Sequence, residues 1–185
     1  MEYRSYTTFS SPFDTFTIVW KGSGSEQLIE RIFLSDPDQK SEIKAFNSFN
    51  QIKLESAASI TLLGEKIQYF LKGENIEFDL DILDFTRCLE IQKKVLLADF
   101  NIPRGFISTY KRIANYIGIT NGARVIGNAL ARNPFPIVIP CHRAIKTNGD
   151  LGGYQGGIKM KRKLLEMEGI EISERGKVIS SKIYY

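Results

Sequence analysis

The stretch that decides the fold runs from Ser108 to Arg143, STYKRIANYIGITNGARVIGNALARNPFPIVIPCHR. Ser108 reads as the cap of a helix whose apolar stripe is Tyr110, Ile113, Ala114 and Ile117, and Gly118 ends it. A turn over Gly118 to Asn121 leads into another helix, Gly122 to Arg132, which stops before Pro134. Two short helices across a tight turn in a basic segment read as a helix-turn-helix. Two prolines then flank Phe135, and the apolar run that follows suits a buried strand or extended segment, stiffened by Pro140 just before Cys141.

Upstream, Leu89 to Phe100 predicts a helix that stops before Pro103. The first half alternates like strand in TFTIVW (Phe16, Ile18, Trp20) and in NIEFDLDI (Ile76, Phe78, Leu80, Ile82), and LIERIFL between them can add a third strand. ESAASITLLGEKIQYFLKG places Ile60, Leu63, Ile67 and Phe70 at helical spacing and ends at Gly73, so one helix packs on that sheet. The expected fold class is α/β, with an α/β domain over residues 1–86 and a mostly helical domain bearing the helix-turn-helix over 87–185.

Charge divides the chain at the same place. Residues 1–86 carry 8 Lys+Arg against 14 Asp+Glu, and residues 87–185 carry 17 against 7, so a net −6 adjoins a net +10. A basic half meets either a polyanion, most simply nucleic acid, or only solvent. Two cysteines and one histidine exclude a disulfide framework and a conventional zinc site. No apolar run approaches membrane-spanning length and no signal-like segment follows Met1, so the chain reads as soluble and cytoplasmic, with no membrane association.

In the helix Gly122 to Arg132, Val125, Ile126, Ala129 and Leu130 form the inward stripe and Arg124, Gly127, Asn128 and Ala131 the outer face. One Arg and one Asn are too few to read base edges. Small residues let a helix approach a groove, and Arg124 can enter an opened base stack; alternatively Gly127 and Ala131 are small for helix packing and Arg124 binds a phosphate.

The chemistry concentrates at Cys141 and His142, with Arg143 adding positive charge. A free thiol is only a few per cent ionised at neutral pH, so a nucleophilic role needs a base or a positive environment. Neighbours on an extended strand point to opposite faces, so these two need a turn or a bridging water. In GIKMKRKLLEMEG, Met160, Leu164 and Glu168 share an inward face while Lys161, Arg162 and Lys163 face outward. Glu168 either orients the imidazole or is an ordinary last-turn glutamate beside an inert buried cysteine. Between them, TNGDLGGYQGG has five glycines in eleven residues around Tyr154, which permits close approach of a flat ligand or makes a plain flexible loop. The tail from Ile170 to Tyr185 either forms a hairpin about Glu174 to Lys177 or frays.

These residues resemble the alkylguanine-DNA alkyltransferases, the methylated-DNA–protein-cysteine methyltransferases. The resemblance is collinear over roughly residues 87 to 169: STY at Ser108, ARVIGNALARNPFPIVIPCHR from Ala123 to Arg143, GGYQGG from Gly152 to Gly157, and LLEMEG ending at Gly169. It implies a ribonuclease-H-like first domain, a winged-helix-like second one, and irreversible one-to-one transfer of an alkyl group from O6-alkylguanine to Cys141, without a cofactor. His142 would be the base, Glu168 its orienting group, Asn133 a hinge, and Tyr110 the residue that rotates the nucleotide out and donates a proton. Ala123, Arg124, Gly127 and Ala131 would meet double-stranded DNA through the minor groove without sequence preference, and Tyr154, Gln155, Ala144 and Pro136 would line the pocket of a monomer. Gln155 departs from the family's usual Ser or Thr, and Ala144 from its usual Val. A DNA-binding regulator with a structural Cys141, and a cysteine hydrolase with turnover, are the rival readings.

Overall fold

In DTFTIVWK, the strand β2 (Asp14–Lys21), every residue from Phe16 to Trp20 is buried. A strand apolar on both faces needs cover on both. β2 lies between β1 (Arg4–Ser11) and β3 (Leu28–Leu34), antiparallel to each, and β4 (Ile52–Leu54) joins β1 in parallel, giving the order β3-β2-β1-β4. On one face α2 (Ala58–Leu71) buries Ile60, Leu63, Ile67 and Phe70, as its spacing predicts. The ring of Phe9, stacked on Phe16 at 5.2 Å, lies so close to α2 that a Cβ at Gly64 would sit 2.2 Å from it. On the other face α1 (Ser41–Ser48) seats Ala45 against Val19 and Phe33.

The computed structural model describes residues 3–24 and 26–185, in two compact units: Met1–Arg87 with Pro134–Val138, and Cys88–Asn133 with Ile139–Tyr185. In the first unit LIERIFL is β3, but NIEFDLDI is not a strand. Its alternation is one of burial only: Ile76, Phe78, Leu80 and Ile82 are half-buried and Glu77, Asp79 and Asp81 exposed, with Phe78 against Phe70 at 5.8 Å. The segment packs on α2 through side chains, and a single bridge from Leu83 to Ile29 follows it. The run after Asn133 is likewise irregular, with Ile137 at φ +75°, a conformation that β-branched residues rarely adopt.

The second unit holds α3 (Glu90–Phe100), α4 (Tyr110–Tyr116), α5 (Ala123–Ala131) and α6 (Ile158–Met167), with a short parallel pair of β5 (Ser108–Thr109) and β6 (Ala144–Ile145). Thr109, not Ser108, caps α4: its hydroxyl accepts the Arg112 N–H at 3.2 Å, while Ser108 is buried beside Ala144 in the ladder. Ile107, Ile145, Leu151, Leu165 and Ile170 form a core that Ile172 and Val178 extend from a tail hairpin closed by Ser173 N–H on Lys177 O at 2.8 Å. The Tyr185 hydroxyl donates to Ala98 O at 2.8 Å. Ile126, Ala129 and Leu130 of α5 are buried as expected, but Val125 is 42% exposed. No helix among the described residues is long and apolar enough to cross a membrane.

Candidate active site

α5 ends just before Asn133, which is buried and donates from Nδ2 to Ile139 O at 3.0 Å. The same carbonyl accepts the Cys141 N–H at 2.8 Å. One acceptor therefore ties the segment before the cysteine to the end of the helix-turn-helix. Cys141 to Arg143 form a tight 3-10 turn, so the thiol and the imidazole are not thrown to opposite faces as on a strand.

Behind the turn is a closed network of charge. His142 Nε2 lies 3.0 Å from Glu168 Oε1, both side chains sealed from solvent. Arg143 clamps the same carboxylate with Nη2 on Oε1 at 2.8 Å and Nε on Oε2 at 2.9 Å, and gives Nη1 to Ile102 O at 2.6 Å. Burial favours the neutral acid, but the His142 and Arg143 contacts outweigh it and push the Glu168 carboxyl down to about 2. Burial also lowers the His142 pKa against the pull of Glu168, so the ring is neutral. Next to an ionised Glu168 the Nε2 carries the proton, which leaves Nδ1 as the basic nitrogen.

Cys141 is 7% exposed and forms part of the wall of a cavity of about 190 Å³. The other walls are Tyr110, Gly127, Leu130, Ala131, Gly153, Tyr154 and Gln155. That is below the roughly 300 Å³ of the smallest drug-sized sites, room for a small molecule only. Burial, reinforced by the negative charge of Asp99, pushes the thiol up to about 12, while the nearby Asn133 amide and Lys161 pull it down less. The resting sulfur is therefore protonated. Burial raises both tyrosines too, Tyr110 to about 12 and Tyr154 well above its usual value, so both hydroxyls remain donors. The Tyr110 hydroxyl nestles against Gly152, at φ +73°, where a Cβ would sit 2.3 Å from it.

Tyr110, Gly127, Ala131, Cys141, Tyr154 and Gln155 thus meet at one cavity, while Arg124 is exposed on α5 and Ala123 half-buried. Ala144 and Pro136 are buried outside its lining; Ala144 instead gives its carbonyl to the Lys161 ammonium at 2.6 Å. Lys161 is not outward-facing: its exposure is 0%. It precedes Leu164, Leu165 and Glu168 by three, four and seven residues, a spacing that already set it on the inward face. Asp99, also fully buried, follows Val95 and Leu96 by four and three, the same inward spacing. Leu130, read from the sequence as a core residue of its helix, and Gly153 of the glycine-rich loop complete the wall. Among the described residues no three His, Cys, Asp or Glu side chains come together as a metal site.

The family model for the 6-O-methylguanine DNA methyltransferase DNA-binding domain matches residues 90–170. The methylated-DNA–protein-cysteine methyltransferase of Saccharolobus islandicus is 38% identical over 119 residues, 63% of this chain and 74% of that one. The chain belongs to the methylated-DNA–protein-cysteine methyltransferase family. The relative from Methanothermobacter thermautotrophicus is 48% identical over 114 residues, 62% of this methyltransferase-family chain and 64% of that protein, just under two thirds of its length. Among solved structures, the Mycobacterium tuberculosis O6-methylguanine methyltransferase is 33% identical with a TM-score of 0.71, over 91% of this chain and 93% of that one. The OGT protein of the same bacterium in complex with DNA gives 32% and 0.71, over 89% and 92%. The mixed α/β fold of this family member, with a four-stranded sheet and six α-helices among the described residues, matches theirs.

Proposed function

We propose that this chain repairs double-stranded DNA by moving an alkyl group from O6 of guanine onto Cys141, once per protein molecule. Its relatives are named for methyl transfer from DNA to a protein cysteine. Of the two cysteines here, Cys141 lies within the matched residues and on the cavity wall, and Cys88 lies outside both. The observation that carries the reading is this thiol facing a base-sized cavity with the His142–Glu168 pair adjoining it.

The chemistry follows from the protonation states. His142 Nδ1 takes the thiol proton, directly or through a water, and ionised Glu168 stabilises the imidazolium. The sulfur attacks the alkyl carbon; an S–C bond forms and the C–O bond breaks. Guanine departs with the electron pair and is protonated at once by the Tyr110 hydroxyl, which recovers a proton from the imidazolium. The net movement of the proton is from thiol to guanine, so no cofactor is required. A thioether has no hydrolysable bond, and the protein is spent.

Inside the duplex the alkyl carbon is out of reach, so the nucleotide rotates out at a cost of roughly a few kcal/mol. Arg124, exposed on α5, fills the gap left behind, and Gly127 and Ala131 admit the helix to the minor groove. Those two small residues also line the cavity, which supports a single surface that approaches DNA and receives the base. With only Arg124 and Asn128 to read base edges, binding is indifferent to sequence. Tyr154 and Gln155 serve as pocket walls, with a Gln155 amide where relatives use a hydroxyl. In this reading residues 87–185 form a winged-helix-like transfer domain and residues 1–86 a ribonuclease-H-like companion, working as a cytoplasmic monomer away from membranes.

Incubation with a duplex carrying isotopically labelled O6-methylguanine tests it. One label per molecule on the Cys141 peptide, abolished by Cys141→Ser, is expected; an unmodified Cys141 peptide, or catalytic release of product, overturns the reading.

A further inference from the structure

Asp99 is a carboxylate in the wrong company for its type. It sits on the inward face of α3 with Val95, Leu96 and Ala98, its exposure is 0%, and neither carboxyl oxygen has a hydrogen-bond partner among the described residues. An ionised carboxylate sealed in this way is costly unless something opposite in charge is near. The nearby cations are Lys161 from α6 and Arg143 from the turn that holds the cysteine. Arg143 is committed to Glu168, whereas the Lys161 ammonium, itself fully buried, gives a hydrogen bond only to Ala144 O, three residues beyond Cys141. α3 packs directly on the Cys141–Arg143 turn. The other titratable groups coupled to Asp99 are Cys141 itself, Tyr110 from α4 and Tyr154 from the glycine-rich loop. The His142–Glu168 pair lies beyond Arg143, and Tyr185 reaches the backbone of the neighbouring Ala98.

We propose that Asp99 is a positioning residue that restrains Cys141 electrostatically: ionised, it cancels the help that Lys161 gives the thiolate, and protonated, it leaves Lys161 to act on the sulfur alone. This rests on the reading of Cys141 as the nucleophile. Burial, only partly offset by Lys161 and Arg143, raises the Asp99 carboxyl to about 7, so the restraint engages within the physiological range. The reactivity of a protonated thiol normally rises tenfold per pH unit as the thiolate fraction grows. Here that rise flattens as Asp99 ionises.

The test is the rate of Cys141 alkylation by iodoacetamide, read on the Cys141 peptide by mass spectrometry as a function of pH, in the full chain without DNA. Asp99→Asn keeps shape and removes charge. Its curve is expected to coincide with the wild type below about pH 6 and to run roughly tenfold above it by about pH 8, one pKa unit of relief. Asp99→Glu is expected to bring back the bend. Lys161→Met removes a cation that holds the Asp99 carboxyl down, so Asp99 stays neutral to higher pH; the reaction is expected to slow below about pH 7, where wild-type Lys161 acts unopposed, and to converge with the wild type above it, where ionised Asp99 cancels that help. Curves for Asp99→Asn that superimpose on the wild type, or differ by the same factor at every pH, overturn the proposal. Should Asp99→Asn not fold, a pH-independent effect of Lys161→Met does so instead. A wild type that bends with iodoacetamide yet takes no methyl from a lesion-bearing duplex supports the restraint and sinks the transferase reading.

Discussion

Glu168 holds His142 at 3.0 Å while Arg143 grips the same carboxylate, so the group that orients the imidazole is itself held from two sides. The pair sits at the end of α6, and no solvent reaches it. Its effect is to decide which ring nitrogen carries the proton and which is basic.

Glu168→Gln keeps the size of that side chain and discards its charge, so the imidazolium loses its counter-ion. The single-turnover transfer rate is expected to fall roughly 10²-fold, at the lower end of what general-base assistance contributes. Stability should change its pH dependence as well. Because the folded carboxyl is pushed down to about 2, from 4.5 for an ordinary one, it contributes stability above about pH 4.5 that is lost as pH falls through about 2. Melting curves of the wild type and Glu168→Gln are expected to approach each other as the solution is acidified toward that value.

Gly152→Ala places a Cβ 2.3 Å from the Tyr110 hydroxyl at φ +73°. The left-handed backbone alone costs roughly 1–2 kcal/mol for a residue with a side chain. Tyr110 must shift, and displacement of a reacting group by an ångström lowers rates by about 10²-fold. A melting temperature lowered only modestly, together with a far larger loss of methyl transfer, is the expected signature; equal retention of both would remove Tyr110 from the proton path.

Arg124 is exposed, so Arg124→Ala should leave folding stability within about 0.5 kcal/mol of the wild type. Transfer from a methylated duplex is expected to fall steeply, and transfer from free O6-methylguanine to stay unchanged, since only the duplex leaves a gap to fill. Equal losses on both substrates would count against the gap-filling role.

Asn133→Ala removes the donor that shares Ile139 O with the Cys141 backbone. Ile139 O keeps the Cys141 N–H, so the expected cost is that of one lost hydrogen bond, about 0.5–1.5 kcal/mol. Asn133→Asp, which adds a negative charge beside the sulfur, should transfer more slowly than Asn133→Ala, and comparison of the two rates separates charge from anchoring.

Most of the helices were legible because a helical face is written in residues three and four apart: Ile60, Leu63, Ile67 and Phe70 in α2, Ile126, Ala129 and Leu130 in α5, Met160 and Leu164 in α6; α1, with only Ser41 and Ala45 buried, was not. The cysteine, its histidine and the glycine-rich loop were legible as local motifs. β1 was not, since RSYTTFSS carries little apolar alternation and is ordered by pairing with β2 and β4. NIEFDLDI misled for the converse reason: period-two burial needs only a surface to lie on, whereas a strand needs an edge to pair with.

The amino-acid order by itself determined which chemical groups are present and which face each helix turns inward, because spacing along a helix is a local property. Only the tertiary structure decided what those groups are worth. Whether Lys161 is a solvated cation or a sealed one depends on Ala144 O at 2.6 Å and on burial against an acid 62 positions away, Asp99. Whether Cys141 rests as thiol or thiolate depends on the water and charge around it, and desolvation by distant segments sets both.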